Sequence, residues 1–136
     1  MKRLSKIVHK IFFLSIFLFS IESSGKTVSI GSLDSKVTVK VFSSLTCPAC
    51  ANFHSEIFYS LKKDFIDKGL VRFEHHPFPL DLAALNAEII LRCHVDSNKK
   101  FELLGKIYEK QNSWATGSDI SKINESITKI GKEVDL

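Results

Sequence analysis

The sequence predicts an α/β fold in which one βαβ unit is followed by an all-helical stretch. Three observations carry that prediction. Val37, Val39 and Val41 alternate with Lys36, Thr38 and Lys40, the two-residue period of a strand. Cys50, Phe53, Ile57, Leu61 and Phe65 then recur at steps of three and four, the period of a helix with one apolar face. Past Gly69, a helix stop, Val71 and Phe73 alternate with Arg72 and Glu74 as a second strand. Two strands joined through a helix in this way lie parallel, with a right-handed crossover.

Residues 1–25 read as a secretory signal peptide. Lys2, Arg3, Lys6 and Lys10 form its basic region, and residues 11–21 (IFFLSIFLFSI) form its apolar core. A membrane-spanning helix needs about 20 apolar residues, so export and cleavage are expected in place of a permanent anchor. Ser23 and Gly25 supply the small residues of a cleavage site, which puts the mature start near Lys26. The alternative, a buried N-terminal helix, has to bury Phe12, Phe13, Leu14, Phe17, Leu18 and Phe19 around its whole circumference.

Most of the net charge of +4 belongs to that segment. Without the first 25 residues, 15 Lys and Arg face 14 Asp and Glu, and the lysines are scattered among acids, as in Lys62, Lys63 and Asp64. No basic footprint for nucleic acid remains, so no nucleic-acid partner is expected. Residues 26–136, about 111 in all, are enough for one domain with a modest core.

Along that domain, residues 27–30 (TVSI) offer a short edge strand, and residues 36–42 form the first firm strand. A polar loop, Ser43 to Thr46, delivers Cys47 to the strand's C-terminal end, where open α/β sheets place their sites. After the second strand, at residues 70–75, Pro77 and Pro79 end pairing and hold the exit extended. Asp81 caps a helix reaching about Val95, with Leu82, Leu85, Ile89 and Cys93 on one buried face. A second helix over residues 99–111 buries Phe101, Leu104, Ile107 and Tyr108. A third opens at Ser118 or Asp119 and carries Ile120, Ile123, Ile127 and Ile130 up to Gly131. Trp114 and Phe78 read as core anchors.

The chemistry concentrates in Cys47-Pro48-Ala49-Cys50. A cysteine at a helix N-terminus meets unsatisfied backbone N–H groups and the positive end of the helix dipole, which stabilise its thiolate. Cys47 is therefore the reactive sulfur, and Cys50, one turn in, the partly covered one. Pro48 suits the first helical position, where a missing N–H costs nothing. Two blander readings stand beside this one. The pair forms an inert disulfide, or it holds zinc, for which Cys93-His94 and His75-His76 are the remaining ligands; adjacent residues point apart and suit a tetrahedral site poorly. Cys93 reads as a small core residue. His54, four residues after Cys50, is placed to influence the redox pair but reads more simply as a partly exposed helix residue. His75 and His76 read as the end of a strand, and His94 as solvent-facing.

The signal sequence, the strand leading into Phe42-Ser43-Ser44-Leu45-Thr46-Cys47-Pro48-Ala49-Cys50, then Val71-Arg72-Phe73 and Phe78-Pro79-Leu80-Asp81 before helices together resemble the DsbA-like thioredoxin-fold disulfide oxidoreductases. The resemblance spans residues 28–131. It implies a thioredoxin-like domain over residues 26–136, with a βαβ half at 26–80 and an inserted helical subdomain at 81–131. It also implies a periplasmic enzyme that promotes disulfide formation in exported thiol-bearing proteins through Cys47 and Cys50, with Pro48 and Ala49 supporting the motif. No cofactor or metal is implied, and recycling would fall to a membrane-bound oxidase.

Two departures qualify the resemblance. Ala49 stands where the best-known members carry a histidine that stabilises the thiolate, so the helix terminus is expected to act largely alone and the disulfide to be less strongly oxidising. The further two strands, final helix and cis-proline of the family are missing after residue 131. The fold is therefore expected to be incomplete, with an open edge on the residue 36–42 strand. An inactive truncated fragment or a non-catalytic binding module is the alternative function.

Overall fold

In the computed structural model, which describes residues 27–94 and 96–134, both predicted strands form and pair in parallel. The expected signal peptide, residues 1–25, lies outside the described residues. Strand β1 (Val28–Ile30), β2 (Val37–Ser43) and β3 (Val71–Pro77) make a sheet in the order β1-β3-β2. β1 runs antiparallel to β3, with Val28 opposite His75, and β2 runs parallel to it, with Val41 opposite the same residue. The short edge strand expected at residues 27–30 is therefore present. Gly31 ends it at φ 104, where a Cβ would stand 2.6 Å from the Val71 carbonyl oxygen, so only glycine lets the chain leave β1 here.

β3 continues two residues past its expected end. Pro77 lacks an N–H but still aligns with Ser43, and Phe78 N donates to the Ser43 carbonyl oxygen at 2.9 Å. The proline lacks a donor and is the last residue of the ladder, which its pairing with Ser43, the last residue of β2, extends to this point.

The crossover helix α1, residues 48–66, is α-helical over Pro48–Asn52 and Phe58–Leu61 and π-helical over Phe53–Ile57 and Lys62–Ile66. Each π turn takes up an extra residue and rotates the face that follows. The buried positions are consequently Phe58 and Ile66, whereas Ile57 and Phe65, expected on the apolar face, are exposed.

Helices α2 (Leu82–Cys93), α3 (Ser97–Glu109), α4 (Gln111–Trp114) and α5 (Ile120–Lys132) follow. The starts of α2, α3 and α5 are capped by carboxylates. Asp81 accepts from Ala84 N, Asp96 from Asn98 N and Lys99 N, and Asp119 from Ser121 N and Lys122 N. α3 is the hub of the core, with Phe101, Leu104, Ile107 and Tyr108 buried as expected. Trp114 is also buried and donates from Nε1 to the Ile107 carbonyl oxygen.

Three expectations for burial are corrected. α2 turns Ala84, Ala87, Glu88 and Leu91 inward and leaves Leu82, Leu85, Ile89 and Cys93 exposed. The small alanines permit close packing, and Glu88 has a buried polar partner, His75 Nε2, at 2.6 Å. Burying that carboxylate without a partner would cost several kcal/mol, about what burying two leucines would return, so the partner decides the helix's rotation. Cys93 is thus no core residue, and its thiol donates back to the Ile89 carbonyl oxygen. Phe78 is 60% exposed and stands outside the core.

Candidate redox site

Cys47 is the N-cap of α1, in extended backbone conformation (φ −79°, ψ 119°), and Pro48 occupies the first helical turn. The Cys50 and Ala51 N–H groups both donate to the Cys47 carbonyl oxygen at 3.1 Å, which closes the turn and leaves the Cys47 side chain at the helix mouth. Both sulfurs are partly exposed free thiols. The Cys47 thiol is held below its ordinary value, first by a hydrogen bond from the Cys50 thiol and then by the backbone N–H groups of Cys50 and Ala49. Cys50 moves the other way, raised by burial and by its neighbour's sulfur. The thiolate is thus favoured on Cys47 relative to Cys50. Ala49 contributes an amide and no side-chain charge.

The loop that carries Cys47 is fixed from two sides. Gln111, buried at the start of α4, donates from Nε2 to the carbonyl oxygens of Leu45 (2.8 Å) and Cys47 (3.1 Å). Thr46 Oγ1 donates to Asp81 Oδ2 at 2.7 Å, and Leu80 N donates to Ser44 Oγ at 3.3 Å, so the cap of α2 and the active-site loop share one carboxylate.

Behind Cys50 lies a cavity of about 160 Å³. Its wall includes Ser43, Cys50, His54, His75 and Tyr108 among apolar side chains. His54 stacks on Phe58 with ring centroids 4.7 Å apart, and burial, followed by the nearby His75, lowers its pKa to about 4. His54 therefore carries no positive charge that could stabilise the Cys47 thiolate near neutrality. Among the described residues, no cluster of three or more His, Cys, Asp or Glu side chains is arranged to hold a metal ion.

The sequence model of the family described as Thioredoxin matches residues 23–135. The chain belongs to the thioredoxin family. Within it the chain is DsbA-like. It is 37% identical over 113 residues to Disulfide bond formation protein D of Bacillus subtilis, covering 76% of this chain and 50% of that protein. It is 34% identical over 103 residues to a Rickettsia bellii relative named as a protein-disulfide oxidoreductase, covering 76% of this chain and 39% of that one. The fold superposes on alpha-DsbA1 of Wolbachia pipientis with a TM-score of 0.65 at 23% identity, over 80% of this chain and 64% of that one. Oxidised BdbD of Bacillus subtilis gives 0.64 at 25% identity, over 80% and 65%. The chain thus spans half or less of these curated relatives. The thioredoxin-like fold with a helical insertion is the one the sequence led us to expect.

In this DsbA-like chain the structure brings Cys47, Pro48, Ala49 and Cys50 together at one helix start, adds His54 and His75 behind them, and sets Cys93 apart on the exposed face of α2. Gln111 and the His75–Glu88 pair escaped the sequence reading. Both are polar residues on otherwise amphipathic elements, and a buried polar group at such a position is visible only once its partner is known. His75 is 1% exposed, so it is an interior residue and not merely a strand end. His94, expected to face solvent, is half-buried and accepts from Asp96 N through Nδ1.

Proposed function

We propose that this chain is an exported thiol-disulfide oxidoreductase that promotes disulfide formation in periplasmic proteins bearing thiols, with Cys47 as the attacking and Cys50 as the resolving sulfur. The observation that carries this reading is the placement of two partly exposed free thiols at the start of α1, with Cys47 as its N-cap, Pro48 in its first turn and Cys50 one turn in. A substrate thiolate attacks Cys47 Sγ of the oxidised pair. The Cys47–Cys50 bond breaks, Cys50 departs with the electron pair and takes a proton, and a mixed disulfide remains on Cys47. A second substrate thiolate attacks the substrate's own sulfur and expels Cys47, whose stabilised thiolate makes it a good leaving group. The substrate is oxidised by two electrons and the pair is reduced by two.

The names of the relatives support this reaction class. In the same reading, residues 1–25 are a cleaved signal peptide, 26–80 the βαβ half and 81–131 the helical insert. A membrane-bound oxidase restores the disulfide, and no cofactor takes part. The test is to equilibrate the full chain in glutathione buffers and quantify the Cys47–Cys50 disulfide by mass spectrometry. A reversible transition that disappears in Cys47→Ala is expected; a pair that stays fully oxidised or fully reduced across all buffers overturns the reading.

A second reading, a non-catalytic binding module, draws on the outer edge of β2, which pairs with no strand among the described residues, and on the exposed side chains of Phe42, Phe78 and Leu80. It is favoured if a reduced peptide binds the chain but receives no disulfide.

A further inference from the structure

Every exchange through Cys47 either expels Cys50 or calls on it to attack. Burial disfavours the Cys50 thiolate, so an expelled Cys50 needs a proton and an attacking Cys50 has to lose one. Beside the Ser43 hydroxyl, three side chains on the wall of the cavity behind Cys50 bear exchangeable protons: Tyr108, His54 and His75. Burial pushes the Tyr108 phenol well above its ordinary value, so it keeps its proton. His54, near 4, is too weak a base to take a proton from a thiol.

His75 differs in its partners. Its Nε2 lies 2.6 Å from Glu88 Oε1 and its Nδ1 lies 3.1 Å from Ser43 Oγ. Tyr108 Oη donates to Ser43 Oγ at 3.0 Å, which leaves the Ser43 hydroxyl hydrogen free to point at Nδ1. With Nε2–H donating to the carboxylate, Nδ1 is left as an acceptor on the cavity side. The carboxylate offsets the charge a second ring proton brings, which is the role an acid plays beside an imidazole base. A cavity of about 160 Å³ with polar groups on its wall has room for bridging water.

We propose that the His75–Glu88 pair, acting through Ser43 and water in this cavity, exchanges the proton of Cys50 during disulfide transfer. The inference deepens the oxidoreductase reading and rests on it. When a substrate thiolate attacks Cys47, the new S–S bond forms, the Cys47–Cys50 bond breaks, and the Cys50 sulfur receives a proton from imidazolium His75, which becomes neutral. In reverse, neutral His75 takes the Cys50 proton, and Cys50 attacks Cys47 Sγ and expels the substrate as thiolate. His75 and Glu88 are positioning residues, since neither touches the reacting sulfurs. The groups facing His75 are Glu88 with Arg92 behind it on α2, Tyr108 on α3, His54 and Cys50 on α1, Ser43 on β2 and the apolar Val28 on β1.

The experiment compares the full chain with Glu88→Gln, which keeps the side chain's shape and removes its charge. Oxidised protein is mixed with reduced glutathione, quenched in acid at intervals, and the glutathione mixed disulfide on Cys47 is followed by mass as Cys50 resolves it. Glu88→Gln is expected to slow resolution about 100-fold near pH 6. The difference should shrink as the pH rises and hydroxide takes over the proton. Equal rates for both proteins at every pH overturn the inference while leaving the oxidoreductase reading intact. A wild-type chain that forms no mixed disulfide overturns both. Should Glu88→Gln fail to fold, Ser43→Ala in the same assay decides: slower resolution near pH 6 is expected, and resolution at the wild-type rate overturns the proposal.

Discussion

Gln111 Nε2 stands 2.8 Å from the carbonyl oxygen of Leu45 and 3.1 Å from that of Cys47, so one buried amide at the start of α4 holds the loop that carries Cys47. Both carbonyls lie where the chain turns from sheet to helix; that of Cys47 also accepts from the Cys50 and Ala51 N–H groups, whereas that of Leu45 relies on the amide. Removing their common donor leaves the buried Leu45 carbonyl unmatched, at a cost of about 1–3 kcal/mol. Gln111→Ala is therefore expected to lower the unfolding free energy by that amount, read as a lower urea midpoint with an unchanged slope. It is also expected to narrow the difference in alkylation rate between Cys47 and Cys93, because the turn at Cys47 loosens. A variant with wild-type stability would mean that water replaces the amide without loss.

The Cys47 thiolate draws first on the Cys50 thiol and only then on the amides of Cys50 and Ala49. Cys50→Ala removes the first contribution and keeps the others, so the Cys47 titration, followed by thiolate absorbance in the ultraviolet, should move up toward the ordinary thiol value. Cys50→Ser, which retains a donor, should move it less. The sign for stability follows. A thiol lowered in the folded state favours folding of the reduced chain at pH above its unfolded value, and this gain is lost as pH falls through the folded value. Cys50→Ala should shrink that gain in reduced protein, read from urea melts on either side of the window. Superposable titrations of all three proteins would leave the amide dipoles as the only source.

His54 titrates near 4 in the folded chain against 6.5 for a free imidazole, because its ring is packed against Phe58 and Tyr108. The unfolded chain thus binds a proton between those values that the folded chain refuses. Stability should fall as pH drops from about 6.5 to 4, by roughly 2 kcal/mol once partial exposure is discounted. His54→Phe removes the titration and keeps an aromatic stack, so its thermal midpoint should depend less on pH across this window and exceed wild type at the acid end. A pH dependence identical to wild type would assign the acid sensitivity to another group.

The features legible in the sequence were those with a local cause. The valine alternation of β2, the CxxC at a strand-to-helix junction, and the carboxylate caps Asp81 and Asp119 each depend on residues a few positions apart. The features that escaped depend on distant partners. The two π turns of α1 displace the buried face from Ile57 to Phe58 and from Phe65 to Ile66, which a fixed helical period cannot anticipate. α2 turns Leu82, Leu85 and Ile89 to the outside because Glu88 is drawn to His75, and β3 runs on to Pro77 because β2 extends to Ser43. At the candidate site, the CxxC pair is visible in four consecutive letters. The polar groups placed around it, Gln111, Ser43 and Glu88, come from three other elements.

The rotation of α2 gives a clean contrast between residues of the same chemistry. Leu85 is 45% exposed and Ile89 55% exposed, whereas Leu91, on the same helix, is fully buried. Hydrophobic periodicity alone assigns the first two to the core, and the His75–Glu88 contact assigns the third. Truncating a buried leucine costs about 2–5 kcal/mol, and an exposed substitution stays within about 0.5 kcal/mol. Leu91→Ala should therefore lower the unfolding free energy by several kcal/mol, while Leu85→Lys and Ile89→Lys leave it nearly unchanged and reduce self-association by breaking an apolar stripe. The reverse ranking would mean that α2 packs through its leucine face, in which case Glu88 would turn to solvent and lose its contact with His75.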